Sequence, residues 1–151
     1  MSPLVIETRH NEYEISTDPA RVDIDQVHDF LSNQGYWSLG RSRELVETSI
    51  RNSGLICAAY GAEGDVVGTA RMVTDFGTFA YLCDDFLLPE QRGTGLGVAI
   101  VTTIVEHPDV AMLKRQMLAT RDAHELYRKL GFEPLDEPVK WMERRNPVSP
   151  R

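Results

Sequence analysis

The amino-acid sequence predicts an α/β (α+β) fold in which helices flank a mixed, mostly antiparallel central sheet. Three apolar runs in the middle of the chain are separated by short turn-forming segments, which is typical of an antiparallel meander. A glycine-rich segment and an apolar helix follow the third run, and another short strand-like run comes next. A helix between two strands allows them to lie parallel, so a mixed sheet is expected.

The chain is long enough to build one hydrophobic core. With 151 residues, it is expected to fold as a single domain, residues 1–151, without disulfides or a structural metal. Residues 144–151 include two prolines among polar neighbours, and we expect them to form a flexible tail.

The first part of the chain predicts two strands and then a helix. Residues 4–8 and 13–16 have strand character and are joined by a turn-prone segment. Asp23 stands three residues before Gln26, the spacing of a capping box, and apolar residues continue at helical spacing up to Gly35. A helix is therefore expected between Asp23 and Gly35.

A second helix and the meander follow. Ser42 is placed to cap a helix that ends before Gly54, so the aromatic segment 37–41 joins two helices. The meander strands are predicted at residues 55–60, 66–74 and 78–88.

The last third of the chain predicts two more helices and two more strands. Residues 98–105 are apolar almost all round, as expected for a helix packed against a sheet. Asp122 and Glu125 have capping-box spacing and predict a helix that ends at Gly131. The two additional strands are predicted at residues 116–120 and 139–143.

Charge and composition narrow the class of protein. A formal net charge of −7 argues against a general nucleic-acid binder, which needs a basic face. No apolar run approaches the ~18 residues that span a bilayer, and no targeting segment is expected at the N-terminus. Cys57 and Cys83 lack metal-ligand or redox spacing and the four histidines lack zinc spacing, so reduced thiols, a cytoplasmic location and no metal are expected.

The segment 89–97 predicts an anion-binding turn. Glycine occupies every second position from Gly93 to Gly97, between an apolar run and an apolar helix. Glycine lets backbone N–H groups approach a ligand, and the first N–H groups of a helix have no partner inside it. No Gly-Lys-Ser/Thr follows, which excludes a P-loop, and the even spacing does not match a dinucleotide-binding fingerprint.

Two segments together resemble one enzyme family. Arg92, Gly95 and Gly97, after an apolar strand, are spaced as in the coenzyme A pyrophosphate loop of the GNAT family of N-acetyltransferases. Residues 123–132 resemble that family's second motif, in which a helix carries a tyrosine, here Tyr127, before a Gly-Phe turn. The order of elements matches the family over nearly the whole chain. The resemblance implies a GNAT-type sheet with a splayed strand pair that holds acetyl-CoA.

The resemblance also implies a set of coenzyme-binding residues. Backbone N–H groups of residues 93–97 would hold the pyrophosphate, and the backbone of residues 86–88 would pair with the pantetheine arm. Thr120 stands where the family often has asparagine, so the chain departs from the family at the side-chain amide contact to pantetheine. The implied set is Phe86, Leu87, Leu88, Arg92, Gly93, Thr94, Gly95, Leu96, Gly97, Thr120 and Tyr127.

The catalytic residues implied by the resemblance are a general acid and a base. Tyr127 would protonate the leaving thiolate. Asp85 and Asp84 are the candidate bases for the acceptor amine. In the family the base lies on the strand face of the position matching Leu87, and regular alternation places Asp85 on that face and Asp84 with Leu82 on the other. A bulge would change this assignment, so both stay candidates, and Glu90 in the following loop is a third.

The implied reaction is direct transfer of an acetyl group from acetyl-CoA to a primary amine in a ternary complex. The acidic net charge favours a small-molecule amine, whose pocket is expected at residues 37–41 and 139–143. Acetylation of a protein amine and a coenzyme A-binding module without turnover are the alternatives. Neither a nucleic acid nor a membrane is expected as partner, and the sequence is compatible with a homodimer.

Overall fold

Six strands form one sheet in the computed structural model, which describes residues 2–147. The strands are β1 (Glu7–His10), β2 (Tyr13–Ser16), β3 (Leu55–Tyr60), β4 (Val66–Thr74), β5 (Phe79–Leu87) and β6 (Arg115–Leu118). The α-helices within those residues are α1 (Ile24–Asn33), α2 (Arg43–Arg51), α3 (Leu96–Val105) and α4 (His124–Arg128). Short 3₁₀ helices lie at Pro19–Arg21, Pro89–Gln91 and Pro138–Lys140.

The sheet is mixed, as the sequence predicts. Strands β1 to β5 pair antiparallel in sequence order, and β6 pairs parallel to β5. The β5–β6 pairing ends at Leu82 and Leu118, although β5 itself continues to Leu87. The two strands therefore separate beyond Leu82. The sheet confirms the predicted mixed fold, and β5 and β6 form the predicted splayed pair.

Capping side chains begin the first two helices where the sequence predicts them. An Asp23 carboxylate oxygen accepts from the Gln26 backbone N–H at 3.1 Å, and the Ser42 hydroxyl oxygen accepts from the Leu45 N–H at 3.1 Å. Helix α3 begins earlier than predicted, at Leu96. Its N-cap, Gly95, has φ +82°, a left-handed conformation that favours glycine.

The sheet is packed on both faces. Helix α3 covers one face, where Ile100 and Ile104 are fully buried. Helices α1 and α2 cover the other face, where the Phe30 ring stacks on Phe86 with 3.9 Å between centroids. Strand β5 contributes side chains to both cores, so its local geometry decides which face each residue serves.

A β-bulge interrupts β5 at its two acidic residues. Cys83 pairs with Arg71 and Phe86 with Thr69, so two residues of β5 lie opposite one residue of β4. Asp84 has φ +49°, which is uncommon for a non-glycine residue.

The bulge makes the prediction that Leu82 shares a face with Phe86 wrong, although Asp85 and Leu87 lie on one side of the sheet as predicted. Leu82 packs in the core under α3, whereas Phe86 packs in the core under α1 and α2. Leu87 packs on the α3 side. The Asp85 side chain points to the same side, where it accepts a hydrogen bond from Tyr127. The extra residue shifts the alternation by one position between Leu82 and Phe86.

The structure corrects the predicted boundaries of two elements, the first strand and α4. The first strand lies at Glu7–His10 instead of residues 4–8. The helix predicted from Asp122 is only five residues long, and its N-cap is Ala123, whose N–H donates to the Thr120 hydroxyl at 3.1 Å. Asp122 has no capping contact because the chain enters this helix one residue later.

The predicted strand at residues 139–143 is also wrong. Pro138, which has no N–H to donate to a sheet, begins a 3₁₀ helix through Lys140. Val139 and Met142 are 92% and 96% exposed. Of the predicted tail, residues 144–147 are exposed without regular structure, and residues 148–151 lie outside the described part.

Two kinds of feature are absent from residues 2–147, a membrane-spanning helix and a metal-binding cluster. None of the helices in these residues has the length and apolar character needed to cross a membrane. Within the same residues, no group of three or more His, Cys, Asp or Glu side chains could hold a metal ion. Cys57 and Cys83 are both free thiols.

Candidate functional site

A cleft of about 430 Å³ lies where β5 and β6 separate. Its walls come from the α1–α2 loop, from β5 and from the loop between β6 and α4. Tyr36 and Trp37 line it from the first segment, and Asp84 and Asp85 line it from the bulge. Tyr127 of α4 lines this cleft and also a neighbouring cavity of about 300 Å³.

The structure brings together two of the predicted catalytic residues. The Tyr127 hydroxyl donates to an Asp85 carboxylate oxygen at 2.6 Å. Burial raises the pKa of Asp85 to about 6, although the hydrogen bond from Tyr127 acts in the opposite direction. Burial, together with the charge of Asp85, raises the pKa of Tyr127 well above its ordinary value. The pair therefore combines a carboxyl that titrates near neutrality with a phenol that keeps its proton.

The third predicted catalytic residue is held in a different environment. The Asp84 carboxylate accepts from Trp37 Nε1 at 2.8 Å, from Arg41 Nη1 at 2.7 Å and from Arg71 Nε at 2.7 Å. Burial would raise the pKa of Asp84, but the charges and hydrogen bonds of Arg71 and Arg41 outweigh it and hold the pKa below its ordinary value. Asp84 is thus an ionised carboxylate with its acceptor sites engaged, which disfavours it as a base.

The glycine-rich segment forms an open turn at the start of α3. Gly93 and Gly95 both have φ +82°, and nothing lies within 4 Å of the place where a side chain on Gly93 would begin. In the described part of the chain, the N–H groups of residues 93–97 donate to no protein acceptor. These donors at a helix N-terminus are suited to an anion.

Two side chains of this turn are already engaged. Arg92 Nε donates to the Leu87 carbonyl oxygen at 3.2 Å, and the Thr94 hydroxyl donates to the Gln91 carbonyl oxygen at 2.8 Å. The backbone N–H groups of the turn are therefore unengaged donors, whereas Arg92 uses one of its five guanidinium N–H groups within the protein.

The predicted pantetheine-binding strand has one free side. The Leu88 N–H donates to the Val67 carbonyl oxygen at 2.8 Å, so that group is directed into the sheet. Leu87 precedes it, and backbone groups alternate in direction along a strand. Leu87 is thus the residue whose backbone points toward the gap. Thr120 uses its hydroxyl oxygen to begin α4.

His10 supports the turn and is not identified by sequence reasoning. Its Nε2 lies 2.8 Å from the Thr94 carbonyl oxygen, and because a carbonyl only accepts, His10 donates. The His10 ring is also 3.4 Å from the place where a side chain on Gly95 would begin. The residues are 84 positions apart in the chain, so no local pattern could have revealed the contact.

Arg41 and Arg71 are likewise missed from the sequence. They lie 43 and 13 positions from Asp84, and neither belongs to a recognisable motif. The α1–α2 loop makes one more contact across the cleft, where the Arg121 guanidinium lies 3.7 Å from the centroid of the Tyr36 ring. The backbone N–H of Arg121 also donates to the Tyr36 hydroxyl oxygen at 3.3 Å.

Comparisons with known proteins agree with this geometry. A family model described as acetyltransferase (GNAT) domain matches residues 51–134. A Gibberella zeae protein described as a candidate acetyltransferase is 31% identical over 147 residues, which span 83% of this chain and 82% of the relative.

Solved structures show the same architecture. A crystal structure from Xanthomonas campestris pv. campestris, described as a candidate acetyltransferase of the GNAT family, has a TM-score of 0.85 and 39% identity and covers 93% of this chain and 96% of its own. A predicted acetyltransferase from Clostridium acetobutylicum, solved with acetyl-CoA, has a TM-score of 0.62 and 17% identity and covers 88% of this chain and 94% of its own. At that identity, the second likeness shows the fold alone.

Proposed function

Because the chain belongs to the GNAT family of acetyltransferases and is an acetyl-CoA-dependent N-acetyltransferase, we propose that it acetylates the primary amine of a small molecule. The observation that carries the proposed chemistry is the hydrogen bond between Tyr127 and Asp85 in the cleft between β5 and β6. This hydrogen bond places the proposed base, Asp85, beside the proposed acid, Tyr127, in the wall of the cleft.

Acetyl-CoA supplies an activated acyl group as a thioester. The residues proposed to hold it fit its chemistry, since the open N–H groups of residues 93–97 are suited to the pyrophosphate. Gly93 leaves room for close approach of that group. The outward backbone of Leu87 is suited to the amide-bearing pantetheine arm. When that arm binds, the Arg92 side chain would release the Leu87 carbonyl oxygen or share it with the arm.

The Asp85–Tyr127 pair can account for the protons of the reaction. The acceptor amine loses a proton to Asp85 as its nitrogen attacks the thioester carbon and the carbon–sulfur bond breaks. Tyr127 gives its proton to the departing thiolate, and the proton on Asp85 then passes to the Tyr127 oxygen across their hydrogen bond. A base with a pKa of about 6 is mostly deprotonated at neutral pH, which suits this role.

The cleft supports a small acceptor. Its volume of about 430 Å³ is within the range of small-molecule sites, roughly 300 to 1,000 Å³. Tyr36 and Trp37 offer aromatic walls, and the net charge of −7 favours approach of a cationic amine. A protein amine is the second candidate acceptor, and a coenzyme A-binding module without turnover is the alternative outside catalysis. We keep the cytoplasm as the proposed location, since Cys57 and Cys83 are free thiols.

We also propose a homodimer as the assembly. In the described residues, β6 pairs only with β5, so its other edge is open. Val139 and Met142 are almost completely exposed. Their segment lies close to β6, as shown by the Arg115 guanidinium, which is 4.9 Å from the centroid of the Trp141 ring. Two copies could cover these surfaces for each other, which is the reciprocal arrangement of a two-fold interface.

The direct test is an acetyl-CoA turnover assay over a panel of amines, with release of the coenzyme A thiol as the readout. Small cationic amines are expected to be acetylated, and peptides with a free N-terminus or a lysine test the second acceptor class. Turnover with peptides alone would move the acceptor to proteins. Tight acetyl-CoA binding without turnover on any amine would favour the binding module.

A further inference from the structure

One buried carboxylate in the cleft is left unused by the proposed chemistry. The Asp84 side chain is 4% exposed, and Arg41 and Arg71, which pair with it, are 14% and 13% exposed. The donors come from separate parts of the fold, because Trp37 and Arg41 belong to the α1–α2 loop and Arg71 to β4. Asp84 therefore joins the loop, the neighbouring strand and the bulge through one group.

The loop held by Asp84 forms a wall of the cleft. Tyr36 and Trp37 line the cavity, and the direct bond from Trp37 Nε1 to Asp84 fixes the indole against β5. The loop's other contact across the cleft is made by Tyr36 with Arg121, which is largely exposed. Charge-assisted hydrogen bonds in a buried site are stronger than exposed contacts, so the Asp84 group dominates the position of Trp37.

Asp84 also sits at the bulge that directs the adjacent residue. Its left-handed backbone, with φ +49°, needs compensating contacts, and its side chain supplies three. Its carbonyl oxygen accepts from the Thr69 hydroxyl at 3.3 Å. Asp85, the next residue, is directed to the opposite face and to Tyr127.

We propose that Asp84 is a positioning residue for the acceptor: its carboxylate holds the α1–α2 loop on the bulge and so shapes the amine-binding wall, while Asp85 is the acid residue that takes the proton of the amine. The acceptor part of this proposal rests on the proposed function. The two neighbouring acids thus act on different quantities, Asp84 on acceptor KM and Asp85 on the pH dependence of kcat.

The test compares Asp84→Asn and Arg41→Gln in a Trp141→Phe background, which leaves Trp37 as the single tryptophan of the two in the sequence. Acrylamide quenching of Trp37 measures loop position without any substrate. Arg41→Gln leaves the Trp37–Asp84 hydrogen bond available. A change of Trp37 quenching in that variant therefore reports movement of the loop and not direct loss of the Trp37–Asp84 hydrogen bond. The matched control is Arg43→Gln on α2, which removes an arginine with carboxylate partners Asp25 and Glu47 that do not touch Asp84.

Both test variants are expected to make Trp37 more accessible to acrylamide and to raise the acceptor KM by about 10-fold. The dissociation constant of acetyl-CoA and the inflection of kcat near pH 6 are expected to stay unchanged. The control variant is expected to leave Trp37 quenching unchanged.

Unaltered quenching of Trp37 in both test variants would overturn the proposal, as would an increased quenching with an unaltered acceptor KM. If Asp84→Asn does not fold, Arg41→Gln decides between these outcomes. Failure of the unmodified protein to acetylate any amine would overturn the proposed function and the acceptor role, whereas the quenching result would still decide whether Asp84 holds the loop.

Discussion

The Asp85 carboxyl and the Tyr127 hydroxyl share one short hydrogen bond, and each changes the protonation of the other. Tyr127 lowers the pKa of Asp85 against the larger effect of burial, and the charge of Asp85 helps to raise the pKa of Tyr127. A phenol whose proton is donated to a carboxylate loses it only when a stronger base, such as a developing thiolate, competes for it. The pair is therefore suited to act late in the reaction, when the carbon–sulfur bond breaks.

Tyr127→Phe is expected to lower kcat by about 10², because the leaving thiolate loses its proton donor, and to leave acetyl-CoA affinity nearly unchanged. Steady-state kinetics and calorimetric titration with acetyl-CoA measure the two quantities. Tyr13→Phe is the matched control, since Tyr13 packs against the same core without contacting Asp85. An unchanged kcat in Tyr127→Phe would remove the acid role.

Asp85 makes the activity depend on pH in a defined direction. Its pKa is raised to about 6, so kcat is expected to rise as pH increases through about 6, when the base loses its proton. The other titratable groups that face it do not account for an inflection there, because burial raises the pKa of Cys57 to about 12 and the pKa of Tyr127 is also raised. Asp85→Asn is expected to abolish the inflection together with most of the activity.

Tyr127→Phe gives a second check on the same group. It removes the hydrogen bond that lowers the pKa of Asp85, so the inflection of the residual activity is expected to move upward. A pH profile that keeps its inflection in Asp85→Asn, or that moves downward in Tyr127→Phe, would exclude Asp85 as the titrating base.

At the level of elements, the turn before α3 is predicted well because its signal is local. Glycine at alternate positions before an apolar helix is enough to indicate backbone donors for an anion, and the structure has left-handed backbone at Gly93 and Gly95. The bulge in β5 is not visible in the same way. The Asp84 side chain at the bulge is bound by Arg41 and Arg71, which lie 43 and 13 positions away in the chain. Alternation alone therefore placed Leu82 and Phe86 on one face, although they pack in opposite cores.

Two isosteric substitutions at Gly93 test the turn. Gly93→Asn and Gly93→Asp impose the same left-handed strain, because φ is +82°, and both side chains enter open space. Only the aspartate adds a negative charge beside the proposed pyrophosphate site. Gly93→Asp is expected to weaken acetyl-CoA binding about 10-fold more than Gly93→Asn, which corresponds to about 1.4 kcal/mol. Equal dissociation constants by calorimetry would remove the pyrophosphate from this turn.

Across the whole molecule, the order and pairing of elements follow from short-range patterns, whereas the C-terminal segment does not. The meander, the apolar helix α3 and the parallel strand β6 are each predicted by periodicity and loop length, and the sheet confirms them. Residues 139–143 have the apolar content of a strand but no sheet neighbour among residues 2–147. Whether such a segment pairs depends on what lies beside it, and its own sequence does not specify that.

The proposed homodimer makes a prediction at this scale. The unmodified protein is expected to sediment as a dimer, and Val139→Asp combined with Met142→Asp is expected to shift it toward the monomer by placing charge in an apolar interface. Leu4→Asp and Met112→Asp form a control pair, since these residues are also exposed apolar side chains. A monomer at micromolar concentration for the unmodified protein would contradict the assembly.

The extra residue in β5 has an evolutionary and an engineering consequence. Because side-chain direction along a strand has a period of two, deleting Asp84 would restore regular alternation between Leu82 and Phe86 and leave Asp85 on the side of Tyr127. A relative shortened by this one residue would keep the fold and the hydrogen bond to Tyr127, but it would lose the carboxylate that Trp37, Arg41 and Arg71 share. The extra residue of β5 therefore adds a group that holds the α1–α2 loop without changing the face of the neighbouring acid.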